Sequence, residues 1–118
     1  MKREYPNSFP RGNRYIRILG IGNALLEGSY EDWGGAEPGW HAWGVTLANV
    51  ENFEIDGLQF KASHGNCIDL VQSRVGIVHN LDFIESEEQL NQGGVEVIRG
   101  SNRITVENVR GRCQDDFV

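Results

Sequence analysis

Short segments in which apolar and polar residues alternate recur along the chain. Gly44-Val-Thr-Leu47, Cys67-Ile-Asp-Leu70 and Gly94-Val-Glu-Val97 each set one polar residue between two apolar ones, the period of a strand with one buried face. They start at positions 44, 67 and 94, so they are 23 and then 27 residues apart. A second apolar pattern follows each of them. It reads Phe53-x-Ile55-x-x-Leu58-x-Phe60, then Gly76-x-Val78-x-x-Leu81-x-Phe83, then Ile104-x-Val106-x-x-Val109, with an earlier copy at Ile16-x-Ile18-x-x-Ile21. The residue before the third apolar position is Gly20, Gly57, Asn80 or Asn108. Gly and Asn tolerate a left-handed backbone best, so the gap predicts a tight turn with positive φ between two strands.

Repeats of roughly 22 to 27 residues built from short strands, one tight turn and one variable loop predict an all-β, right-handed parallel β-helix, a solenoid of about four coils. It is expected over residues 14–118, after a polar arm at 1–13. Its interior is expected to hold Ile18, Val45, Leu47, Ile55, Ile68, Leu70, Val78, Val95, Val97, Ile104 and Val106. A β-sandwich is the rival architecture. It would need Asn-Gly-type hairpin turns, and the one two-residue candidate, Gly93-Gly94, abuts a polar loop.

Composition sharpens this picture. Fifteen Gly against three Pro in 118 residues favour many turns over long helices. Seventeen acidic against eleven basic residues give a net charge of −6, which makes nucleic acid and anionic membranes poor partners. No apolar stretch follows Met1-Lys-Arg-Glu-Tyr-Pro-Asn-Ser8, so neither an export signal nor a membrane span is read. Cys67 and Cys113 fit no zinc spacing and read as buried thiols. His41, His64 and His79 form no metal-spaced set, and neither a metal nor a cofactor is expected.

The irregular segments 28–43, 61–66, 85–93 and 110–114 all precede the same strand of successive coils. Insertions gathered at one corner of a solenoid commonly form its binding face. With Val45, Ile68, Val95 and Phe117 in one inward column, the position two residues earlier reads Trp43, Asn66, Gly93 and Asp115. The next column reads Gly44, Cys67, Gly94 and Asp116. Strands about 4.8 Å apart would make this a groove roughly 15 Å long, lined by an aromatic, an amide, bare backbone and a carboxylate. That combination suits a polysaccharide or oligosaccharide. Trp33, Trp40 and Trp43 would either stack on sugar rings or cap the open core. Asp115 and Asp116 are the candidate acid and base, with Glu96 a third carboxylate. The exposed ends of the solenoid would favour self-association.

The run Asn91-Gln-Gly-Gly-Val-Glu-Val97, then Asn102-Arg-Ile-Thr-Val-Glu-Asn108 and Gln114-Asp-Asp-Phe-Val118, resembles the polygalacturonase family of glycoside hydrolases. Members carry an Asn-Thr-Asp-Gly segment, a strand, and a paired-aspartate segment in the next coil. Gly20-Ile-Gly-Asn-Ala-Leu-Leu-Glu-Gly28 is similar to a turn that often opens such domains, and the likeness covers roughly residues 14–118. It implies inverting hydrolysis of a pectic or related polysaccharide, outside the cell, by Asp115 and Asp116. Trp43, Asn66, Asn91, Glu96 and His64 are the candidate sugar-binding residues. Gly93 stands where the motif has an aspartate, and the family's Gly-His-Gly and Arg-x-Lys segments are expected beyond Val118, as in a piece of a longer β-helix. Three readings stay open: a glycoside hydrolase, a non-catalytic carbohydrate-binding or adhesive module, and a polysaccharide lyase.

Overall fold

The computed structural model describes residues 12–28, 44–63, 65–84 and 92–118. Among these residues nine strands run in the order β1 (Asn13–Leu19), β2 (Leu25–Glu27), β3 (Val45–Ala48), β4 (Val50–Asp56), β5 (Gln59–Lys61), β6 (Ile68–Val71), β7 (Arg74–Ile84), β8 (Val95–Ile98) and β9 (Asn102–Arg112). Among the described residues there is no helix, and every strand pairing is parallel. A six-stranded sheet has the order β1-β4-β7-β5-β2, with β9 also on β7; a three-stranded sheet has the order β3-β6-β8. Parallel neighbours cannot be joined by hairpins, so each long connection returns the chain to the start of the next repeat.

The registers are those of the apolar pattern. Ile16, Phe53, Gly76 and Ile104 share one column, and Ile18, Ile55, Val78 and Val106 the next but one. Val45, Ile68 and Val95 align in the smaller sheet, as do Leu47, Leu70 and Val97. Each repeat bends at three matching places, and a left-handed residue marks each bend. Asn49, Gln72 and Arg99 have φ of 52, 51 and 54°; Tyr15, Asn52, Val75 and Arg103 have 60, 60, 58 and 54°. The third set is the predicted one, Gly57, Asn80 and Asn108, with φ of 73, 55 and 50°.

The first repeat departs from that prediction. Leu25 pairs with Gln59 and Leu26 with Phe60, which puts Ala24, not Ile21, opposite Leu58. Ile21 is 91% exposed, and the left-handed residue there is Gly22, with φ 68°. Gly20 serves a different need: a Cβ on it would lie 2.1 Å from the Gly57 carbonyl oxygen. It is a contact glycine, followed by a short insertion.

One apolar cluster joins the two sheets. Leu47, Ile55, Ile68, Leu70, Val78 and Val95 are buried in it as predicted, and Ile18, Val45, Ile104 and Val106 pack half-buried against it. Val97 does not follow the prediction. It is 40% exposed, because β8 is the edge strand of its sheet and little lies over its outer half. At the centre, Phe60 and Phe83 lie 5.8 Å apart, and Phe117 meets Phe83 edge-on at 5.3 Å. Neighbouring backbone and this stack together leave no room for a side chain at Gly44 or Gly94. A Cβ on Gly44 would lie 2.7 Å from Cys67 O and 2.8 Å from the Phe60 ring, and one on Gly94 2.3 Å from Phe117 O and 3.0 Å from the Phe83 ring.

The final segment is placed one residue away from the expected alignment. Val45 N donates to Cys67 O and Ile68 N to Gly94 O; in the same pattern Gly94 N donates to Asp116 O and Val95 N to Phe117 O. Phe117 therefore stands beside Gly94 rather than Val95, and Asp116 rather than Asp115 stands beside Gly93. The Phe83–Phe117 contact decides this, since the space next to a glycine admits a ring that the space next to Val95 does not.

Candidate functional site

Asn66, Glu96, Asp115 and Asp116 line one concave site of about 240 Å³, completed by Gly94, Val95, Val97 and Val118. Trp43, His64 and Asn91 lie outside the described residues, as do Trp33, Trp40 and His41. The site sits where β8 meets the last segment, and three anchors hold it. Asn66 precedes β6, and its Nδ2 donates to Asp69 Oδ1 at 2.9 Å and Glu96 Oε2 at 2.6 Å. Glu96 is the register partner of Asp69, so one amide spans two neighbouring carboxylates on the outer side of the small sheet.

The second anchor is Gln92, which is fully buried. Its Nε2 donates to Ser63 O at 2.6 Å, and its own carbonyl accepts from Gln114 N and Asp115 N. The 114–116 turn is thereby hung on the strand entry below it. Gln92 Oε1 has no partner among the described residues. The third is internal to the turn: Asp115 Oδ1 accepts from Asp116 N at 3.0 Å. The two aspartates thus differ, Asp115 tied into its own turn and Asp116 set in the column of Gly93 and Asn66.

Gly93 has a positive role here. A Cβ at this position would lie 2.3 Å from Asn66 Oδ1, so the absent side chain is what admits the Asn66 amide. Where the resembled motif has a carboxylate, this chain places a carboxamide from the previous strand entry. Asp69 went unnoticed in the sequence. Its alternation, Ile68-Asp69-Leu70, is that of any outward polar residue, yet it is wholly buried.

A second polar group lies on the outer face of the large sheet. Glu54 Oε1 and Asp56 Oδ1 stand 3.0 and 3.7 Å from His79 Nε2, the set among the described residues whose donor atoms come close enough for a metal ion, within 4.8 Å. These atoms already have partners. Arg17 pairs with Glu54 Oε2 at 2.7 Å, and Asn80 Nδ2 donates to Asp56 Oδ1 at 2.6 Å. Asn108 donates to Asn80 Oδ1, which fixes the Asn80 amide with its NH₂ toward His79 Nδ1, 3.4 Å away. A metal-bound imidazole wants an acceptor at its second nitrogen. The geometry instead suits a His79 that donates from Nε2 to Glu54. This bond and Arg17 hold the Glu54 carboxyl below its ordinary pKa. Glu51 is lowered likewise, chiefly by the hydrogen bond from Arg74, with Arg14 adding its charge.

Comparison with protein-family models, with curated proteins and with solved structures returned no match.

Proposed function

We propose that the chain is a right-handed parallel β-helix of about four coils that binds a carbohydrate chain at the Asn66–Glu96–Asp116 cleft without cleaving it. The solenoid reading rests on three bends per repeat in matching register and on purely parallel pairing between successive repeats. The right hand follows from the strong preference of parallel crossover connections.

One observation carries the carbohydrate reading: four of the polar residues picked out along the chain converge on a single cleft. Carboxylates and an amide are suitable acceptors and donors for hydroxyl groups. Among the described residues no Lys or Arg lines the cleft, so a polyuronate would meet carboxylates without a countercharge, and a neutral sugar chain fits better. Binding is favoured over hydrolysis because inversion needs an acid and a separate base. The Asn66 amide fills the space at Gly93, and Asp115 is engaged in its own turn.

The test is calorimetric titration with a panel of neutral and uronic oligosaccharides, run beside a reducing-sugar assay. Neutral chains are expected to bind, with at least a tenfold loss in Asp116→Asn and in Asn66→Ala at unchanged circular dichroism. No binding across the panel would refute the carbohydrate reading. Turnover that vanishes in Asp116→Asn would replace binding by hydrolysis.

A further inference from the structure

Strand β9 carries eleven residues, Asn102–Arg112, and among the described residues no strand pairs with its outer edge. At the opposite end of the same sheet, among the described residues, β1 and β2 each have one partner, β4 and β5, and no strand on their outer edges. Long open edges are templates for pairing with another chain, and β9 lacks the proline or lysine that blunts many of them. We infer that the chain associates with itself head to tail, the outer edge of β9 in one copy pairing in parallel with β1 and β2 of the next.

The register already in the molecule specifies the contact. The columns that end on β9 at Asn102, at 104–107 and at 110–112 begin on β1 or β2, so the next copy continues them in phase. Ile16 of the second copy falls on Ile104, and Ile18 on Val106, extending two inward columns. Both β9 residues are only half-buried in the single chain. Leu26, 39% exposed, falls on Gly111, a large residue over a glycine in the way that Phe53 lies over Gly76.

One outer column brings opposite charges face to face. Glu27 would meet Arg112 as it meets Lys61 within one copy, at 2.6 Å. Arg17 would face Thr105 and stand diagonally from Glu107. A head-to-tail contact uses two different surfaces and leaves each again free at the ends, so it produces open linear assemblies rather than a closed dimer.

The experiment uses the 118-residue chain in two arms. Sedimentation velocity across a hundredfold range of concentration should show the average mass rising, and Glu107→Arg should weaken association at least tenfold with unchanged circular dichroism. In the second arm, Thr105→Cys and Arg17→Cys chains are mixed under oxidising conditions. Facing positions on adjacent strands lie within disulfide reach, so the mixture should give a cross-linked dimer that neither variant gives alone. A monomer at every concentration, or a mixture that cross-links no better than its components, would overturn the inference.

Discussion

Replacing Gly76 by alanine tests the internal register most directly. Gly76 lies beside Phe53 on the neighbouring strand, with Ile104 on its other side. A Cβ added there would sit 2.2, 2.3 and 2.4 Å from three carbons at the far end of the Phe53 ring. That ring is 4% exposed and enclosed by the core, so it has no free direction in which to withdraw. Overpacking of this kind costs about 1–3 kcal/mol. Alanine returns about 0.5–1 kcal/mol, because it restricts the unfolded chain more than glycine does. The expected net loss is therefore about 1–2 kcal/mol, read in urea unfolding as a lower midpoint at constant slope. Phe53→Leu removes the ring atoms that collide, so the pair Gly76→Ala with Phe53→Leu should cost less than the two changes summed, by about 1 kcal/mol. A Gly76→Ala chain as stable as the parent, or strict additivity in the double variant, would show that the ring does not lie across this position.

Three further outcomes are expected. Asn80→Val should lose about 1–2 kcal/mol to the left-handed backbone and about 1 kcal/mol more with the amide bonds to Asp56 and Asn108, measured by the same unfolding; an unchanged midpoint would refute the turn. The Glu54 carboxyl titrates below its ordinary value of 4.5, so in the unfolded chain it takes up its proton first, and the stabilisation it brings is present above pH 4.5 and lost as pH falls below it. The parent should therefore exceed Glu54→Gln in thermal midpoint at neutral pH, with the gap closing in acid; a gap independent of pH would contradict the pairing with His79 and Arg17. Gly93→Asp, which supplies the carboxylate of the resembled motif, should push the Asn66 amide off Asp69 and Glu96, lower the thermal midpoint and give no hydrolysis; reducing sugar released by this variant would reverse the account of Gly93.

What the chain announces by itself follows from burial. Apolar residues at a period of two, repeated at similar intervals, can be covered only if successive repeats stack, and this made the parallel columns and most of their members legible. The turn at Gly57, Asn80 and Asn108 was legible too, because residues that tolerate left-handed geometry recur there. In the other two bends only Asn49 and Asn52 share that tolerance, while Gln72, Arg99, Tyr15, Val75 and Arg103 do not, so no column of tolerant residues reveals them. They are imposed by the packing of the two sheets on their shared core.

Tertiary packing also decided the site. The last segment shifts by one residue because the Phe117 ring needs the space beside Gly94, and that shift moves Asp116 into the column where Asp115 was expected. Asn66 and Gly93 are 27 positions apart, yet the missing side chain of one makes room for the amide of the other. Asp69 is buried although its strand alternates like any half-exposed one. Each is a contact between residues distant in sequence, and period alone carries no record of which neighbour fills a given space.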